Sequence, residues 1–385
     1  MTALDLRRAA TAPHSSPAAP HSSPAAPQLS ATAPKSGVAA PKPSAPKPPA
    51  SEPGVAAAPG PDPGPGVADL RAAAARIAPY VVRTPLLRGP AATALGPGLL
   101  LKAEHLQHGG SFKMRGAANA VLALGADRIV TGSSGNHALA LARLARTLGI
   151  RLTVVLAAGA APAKAAAVRA LGAETVQVDG GVAEREERAR ALAAERNAVL
   201  IPSSDHPLVV AGAGTVGTEL LADAPDTETV YVPTGGGGLL AGVCLAALHR
   251  PVRVVGVEPS GTPRYARSLA AGRRVQLPPG TTVADGLRGQ CPGAVPYPIV
   301  RDRVDELIAV DDTEILAAVA LLARHGVDAE PSGAVALAGA LRAGRRERAV
   351  AVVSGGNTPA RLRPLHHDPT RTHDDSDNDS HTTTD

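Results

Sequence analysis

The sequence predicts an α/β fold, two-lobed, with open, mostly parallel sheets flanked by helices, and three observations carry that expectation. Short runs rich in Val and Ile alternate with Ala- and Leu-rich stretches from residue 67 to about 365, the pattern of a parallel sheet covered by helices. Gly- or Ser-rich turns follow three of the predicted strands, at the ends where open α/β sheets place ligands. The patterned segment runs to roughly 300 residues, enough for two lobes with a cleft between them.

Residues 1–66 are Pro, Ala and Ser with little else, and the heptad Ala-Pro-His-Ser-Ser-Pro-Ala stands twice in tandem at 12–18 and 19–25. Such a composition reads as a disordered, polyproline-like tether. Strands are expected at 128–130, 151–156, 174–178, 229–232, 253–257 and 349–353, and helices at 138–148, 163–171, 182–196, 240–249 and 312–325. The 182–196 stretch alternates Glu and Arg, as a wet helix face does. A small lobe of about 125–200 is expected inside a globular domain of 67–364. Residues 365–385 are His, Asp, Ser and Thr and read as a disordered tail.

Composition excludes several classes of function. Cys244 and Cys291 cannot build a disulfide framework, and neither has a cysteine or histidine at metal-ligand spacing, so a reducing, cytoplasmic compartment and no metal site are expected. Arg7 and Arg8 are followed by Pro, Ser and His where a secretory signal needs an apolar run, and no stretch reaches the roughly 18 apolar residues of a membrane span. No membrane partner follows. The net charge of +5 would suit nucleic acid, but one Phe, four Tyr and no Trp leave little to stack on bases. The 44% hydrophobic content is mostly Ala, Val and Leu, which predicts a core of small aliphatic side chains.

Three turns and one longer segment carry the candidate chemistry. The turn Pro233-Thr234-Gly235-Gly236-Gly237-Gly238-Leu239 sits between a predicted strand and helix; its glycines let backbone approach an anion, and the helix start offers unpaired N–H groups. A phosphate fits there, although no Gly-Lys-Ser/Thr follows to make it a P-loop. The turn Gly132-Ser133-Ser134-Gly135-Asn136-His137 gathers hydroxyl, amide and imidazole groups at a helix start, a nest suited to a carboxylate, or ordinary helix capping. Ser354-Gly355-Gly356-Asn357 alone says only turn. In the segment 102–117, the chain's single Phe, Phe112, stands beside Lys113; a lysine next to an apolar residue in a buried loop is a candidate for a depressed pKa and Schiff-base chemistry.

In order, Lys-x-Glu-x-x-Gln-x-x-Gly-Ser-Phe-Lys-x-Arg-Gly-Ala (102–117), Ser-Ser-Gly-Asn-His-Ala (133–138), Gly-Gly-Gly-Gly-Leu (235–239) and Ser-Gly-Gly-Asn (354–357) resemble the fold-type II, tryptophan synthase β-like enzymes that use pyridoxal 5'-phosphate (PLP). The branch resembled is that of threonine/serine dehydratases and serine racemases. Weaker matches lie at Lys164, Gly212 to Thr215, Ala284-Asp285-Gly286 and Glu330-Pro331-Ser332-Gly333-Ala334, so the resemblance covers essentially all of residues 67–359.

The resemblance implies that Lys113 holds the PLP aldehyde and is the base at Cα, with Phe112 beside the cofactor ring. Gly235, Gly236, Gly237, Gly238 and Leu239 would cradle the phosphate, Asn136 would bond the ring hydroxyl, and Ser354 would meet the pyridine nitrogen. Ser133, Ser134, Asn136 and His137 would hold the substrate carboxylate. A serine at the ring nitrogen makes a weaker electron sink than an acid and favours elimination. The implied reaction is loss of the β-hydroxyl from threonine, serine or a similar small hydroxy amino acid, giving a 2-oxo acid and ammonia. The alternative is a racemase with Lys113 and Ser134 on opposite faces of the substrate. A remote alternative is a non-catalytic protein that binds a phosphate ligand. A homodimer is implied by the same resemblance.

The chain departs from the pattern in places. Relatives activated by a divalent cation carry acids on both sides of a short loop after Glu-Pro, whereas Glu258-Pro259 here is followed by Arg264 at the second position, which argues against bound magnesium. Ala213 and Gly109 replace a common Gln and Thr and suggest an altered pocket. Arg185 could reach a second substrate carboxylate, but in the 182–196 pattern it reads as a solvated helix arginine.

Overall fold

A computed structural model describes residues 64–87, 98–133, 135–160, 162–344 and 348–358. The 1–66 tether, save its last three residues, and the 365–385 tail lie outside the described residues. The strands are β1 (Leu86–Leu87), β2 (Leu99–Lys102), β3 (Arg128–Gly132), β4 (Arg151–Leu156), β5 (Glu174–Gln177), β6 (Val199–Leu200), β7 (Thr229–Pro233), β8 (Arg253–Pro259), β9 (Glu306–Val310) and β10 (Ala349–Val352). The helices are α1 (Val67–Ile77), α2 (Lys113–Leu124), α3 (Asn136–Leu148), α4 (Pro162–Ala170), α5 (Val182–Glu195), α6 (Pro207–Asp223), α7 (Gly238–Ala246), α8 (Arg264–Ala270), α9 (Pro296–Arg303), α10 (Asp312–Arg324) and α11 (Pro331–Ala343).

The strands form two sheets, one of six in the order β1-β2-β10-β7-β8-β9 and one of four in the order β5-β4-β3-β6. Every pairing is parallel except β1 with β2. The central strands β7 and β10 are buried along their whole length, which explains their unbroken apolar runs: helices cover both faces of a parallel sheet. Edge strand β5 keeps Glu174 and Gln177 exposed.

Strand order places the ligand ends. In the four-stranded sheet the chain runs outward from β3 through β4 to β5, then crosses to β6 on the other side of β3. In the larger sheet it runs outward from β7 through β8 to β9 and returns to β10 on the other side of β7. The carboxyl ends of β3 and β7 are therefore the two topological switch points, where a crevice opens. The turn 133–136 follows β3 and the glycine turn 234–237 follows β7.

Helix α6 packs in the interior where the sequence pattern gives no expected helix, and it contains Gly212, Gly214 and Gly217. A Cβ on Gly242 of α7 would lie 2.5 Å from the Gly214 nitrogen. The glycines let α6 and α7 meet backbone to backbone, and the close contact offsets their poor helix propensity.

Candidate active site

Lys113 is the first residue of α2, not part of a loop. Two features aim it. The backbone N–H of Phe112 donates to Ser354 O (3.1 Å), and Ser111 bridges Gly355, which fastens the start of α2 to the end of β10. Two residues past Lys113, and so on a different face of the helix, Arg115 is fully buried in an ionic network. Its guanidinium donates to Glu104 (both bonds 2.8 Å) and to Glu219 (2.7 and 2.8 Å), and Lys102, equally buried, donates to Glu219 at 2.7 Å. Burial alone would lower the Arg115 pKa, but the two acids outweigh it and raise it.

The predicted site residues that are described all face one cavity of about 870 Å³: Phe112, Lys113, Ser133, Asn136, His137, the four cradle glycines with Leu239, and Ser354. Ser134 lies outside the described residues. Of the three pattern departures, Ala213 and Arg264 line this cavity, whereas Gly109 serves backbone geometry: its φ is 76° and its carbonyl accepts from Asn357 at 2.8 Å.

Inside the cavity the Lys113 amine donates to Ser203 O at 2.6 Å and sits 5.0 Å from the Phe112 ring centroid. Burial lowers its pKa from the ordinary 10.5 to about 8, because desolvation disfavours the ammonium form. Ser203 is a contact that sequence reasoning missed; it works through its carbonyl, which leaves no side-chain signal.

The glycine cradle is built from two directions. Gly237 has a φ of 97°, and a Cβ there would fall 1.7 Å from the Tyr265 hydroxyl; one on Gly236 would fall 2.1 Å from Ser204 Oγ. Behind the turn, the Gly236 carbonyl accepts from Tyr265 Oη (3.1 Å) and the Gly293 N–H (3.0 Å). With that carbonyl occupied, the first-turn N–H groups of α7 remain to meet an anion.

Across the cavity, Asn136 opens α3; its Nδ2 donates to Glu330 and its Oδ1 accepts from Asn357 at 3.0 Å. His137 donates from Nε2 to Ile201 O at 3.1 Å, and Nδ1 has no partner. Burial, reinforced by the positive charge of Lys113, pushes His137 down to about 3. It is a neutral ring whose one ring N–H is spent on β6, so toward a carboxylate it offers its backbone N–H. Ser354 donates from Oγ to Ser332 O at a long 3.3 Å.

Two findings differ from sequence expectations or add to them. Arg185 is not a solvated helix arginine: its side chain is 15% exposed, lines the cavity, and has an Nε without a partner. Lys164 on α4 donates to Asp285 (2.6 Å) and Glu330 (3.4 Å), joining the helix layer of the small sheet to segments around the large one. Burial pulls Lys164 down, and the two acids outweigh it. The sequence marks all three positions as motif matches without assigning them that contact.

These residues fit PLP, with a depressed lysine for its aldehyde, a cradle that side chains would fill for its phosphate, and a serine for its ring nitrogen. Capture of PLP by the apoprotein needs the neutral Lys113 amine. Its rate is expected to rise about tenfold per pH unit below about 8 and level off above it. Stopped-flow absorbance checks this; a rise continuing to pH 10.5 would contradict the depressed value.

Comparison with known proteins agrees. Residues 77–355 match the family model for pyridoxal-phosphate dependent enzymes. The chain is 39% identical over 304 residues to a serine racemase of Oryza sativa subsp. indica, covering 75% of this chain and 89% of the relative. It is 37% identical over 306 residues to the L-threo-3-hydroxyaspartate ammonia-lyase of Saccharomyces cerevisiae, covering 76% and 93%. The crystal structure of a T.th. threonine deaminase superposes with a TM-score of 0.72 at 45% identity, covering 76% of this chain and 99% of that one. With Lys113, the glycine turn 235–238 and Ser354 lining one cavity, this chain belongs to the pyridoxal-phosphate-dependent enzymes of fold type II.

Proposed function

We propose that this enzyme is an ammonia-lyase of the dehydratase type, acting on L-threonine, L-serine or a similar small β-hydroxy amino acid. The observation that carries the reading is the Lys113 amine, depressed to about 8 by burial, facing the donors at the start of α3 across one cavity. Bound PLP supplies the electron sink that acidifies the substrate Cα–H. Neutral Lys113 takes the α-proton. Ser133, Ser134, Asn136 and the backbone N–H of His137 hold the carboxylate, and a ring-nitrogen serine in place of an acid favours loss of the β-hydroxyl. One water leaves and one returns, so the amino acid becomes a 2-oxo acid and ammonia.

A second reading has its own support. Arg185, desolvated on the cavity wall with an unmet N–H, suits a substrate with a second carboxylate, such as 3-hydroxyaspartate. Racemisation would need Ser134 as the opposite-face acid. We further propose a homodimer in the cytoplasm, on the family resemblance and the unpaired Cys244 and Cys291, with 125–200 as a small lobe within the 67–364 catalytic domain.

The test supplies L-threonine, L-serine and L-threo-3-hydroxyaspartate and follows oxo acid and D-isomer together. Oxo acid is expected to dominate. Arg185→Met is expected to lower kcat/KM for hydroxyaspartate about 10- to 100-fold and for threonine less than about threefold. D-isomer as the main product from every substrate overturns the dehydratase reading.

A further inference from the structure

Arg264, the first residue of α8, is fully buried and forms part of the cavity wall. NH2 donates to Leu287 O, while Nε and NH1 have no partner. Most of the five donors of this guanidinium are therefore unmet. Burial pushes it down to about 10, which leaves it charged at neutral pH, and a buried charge without an anion is strongly destabilising. It also stands at the positive end of its own helix, where a cation is disfavoured.

The neighbouring acid does not answer it. Glu258 is fully buried too, and its carboxylate accepts from the backbone N–H groups of Tyr265 (3.0 Å) and Ala266 (2.8 Å), capping α8. Glu258 favours the charged guanidinium through space, yet it reaches neither Nε nor NH1. The loop after Glu258-Pro259 thus offers one carboxylate already engaged and a guanidinium where a second acid would stand. A divalent cation does not fit there.

What NH1 does face is the cradle. A Cβ built on Gly235 would lie 3.6 Å from NH1, and one on Gly289 would lie 3.8 Å away. The unmet NH1 group therefore adjoins the glycine turn at the start of α7.

We propose that Arg264 is the built-in cation of this site, a cofactor-binding residue whose unmet N–H groups pair with the PLP phosphate beside Gly235 and make a divalent cation unnecessary.

The test is equilibrium binding of PLP, and of pyridoxal, which lacks the phosphate, to the apoprotein of the parent, Arg264→Met and Arg264→Lys. Melting of each apoprotein is recorded alongside. Arg264→Met is expected to bind PLP about 10- to 100-fold more weakly and to bind pyridoxal as the parent does. Its apoprotein is expected to melt no lower than the parent's, because an unpaired buried charge is gone. Arg264→Lys keeps a cation and is expected to lose less than about tenfold for PLP. EDTA and added Mg²⁺ are expected to leave the parent's PLP affinity unchanged.

Four results overturn the proposal: parental PLP affinity in Arg264→Met; equal losses for PLP and pyridoxal; a raised substrate KM with unchanged PLP affinity, which would assign the guanidinium to the substrate carboxylate; or parental affinity that falls on chelation. Should the Met variant not fold, the Lys variant decides, since equal loss of PLP and pyridoxal there also refutes the pairing.

Discussion

Replacing Lys113 with alanine is expected to abolish α-proton exchange, lowering its rate at least ~10²–10⁴-fold, the usual worth of a positioned acid/base. The amine that disappears is buried and depressed to about 8, and the neighbouring His137, at about 3 with its Nε2 proton committed to Ile201, offers no strong replacement base. The fold should survive, since Lys113 gives up one hydrogen bond to a carbonyl and removing a desolvated amine relieves burial. The check is deuterium exchange at Cα followed by NMR, with circular dichroism to confirm folding. Exchange within tenfold of the parent would falsify the assignment of Lys113 as the base.

Arg115→Met is expected to have the largest effect on stability, a loss of about 3–5 kcal/mol, because it strips the partner from two carboxylates in the interior. Glu104 has no side-chain exposure and Glu219 has 14%. Glu104 would keep Thr84 (2.5 Å) and Glu219 would keep Lys102 (2.7 Å), too little to balance both charges. For a domain of this size each kcal/mol is worth roughly 2–4 °C, so thermal melting should fall by about 6–20 °C. Adding Glu104→Gln should recover part of the loss, since it removes one orphaned charge. A single variant melting within about 2 °C of the parent would show that the network contributes little.

Much of this was legible in the sequence, and the exceptions have physical causes. The alternation of Val/Ile runs with Ala-rich helices marks parallel sheets because both faces of β7 and β10 are covered. Four strands escape notice: β1 and β6, with two residues each, are too short to repeat an alternation, and β2 (Leu99–Lys102) and β9 (Glu306–Val310) are also absent from the expected strands. In α6, Gly212, Gly214 and Gly217 have poor helix propensity, and the close backbone contact with α7 offsets it. The site loops are visible as turns because glycines and serines gather where backbone lines the cavity. Arg185 escapes the sequence pattern because alternating Glu and Arg describe the average face of α5, and one inward arginine does not alter that average. Lys102, Glu104 and Arg115 can be recognised as a motif, but Glu219, the shared partner of Lys102 and Arg115, lies more than one hundred residues on, and only the fold brings it near.

The central claim, that Lys113 carries the cofactor in this cavity, is tested most directly by borohydride reduction of the PLP-loaded protein followed by peptide mapping. The account predicts a pyridoxyl group on the peptide containing Lys113. Label on Lys102 or Lys164, or no label at all, would contradict it.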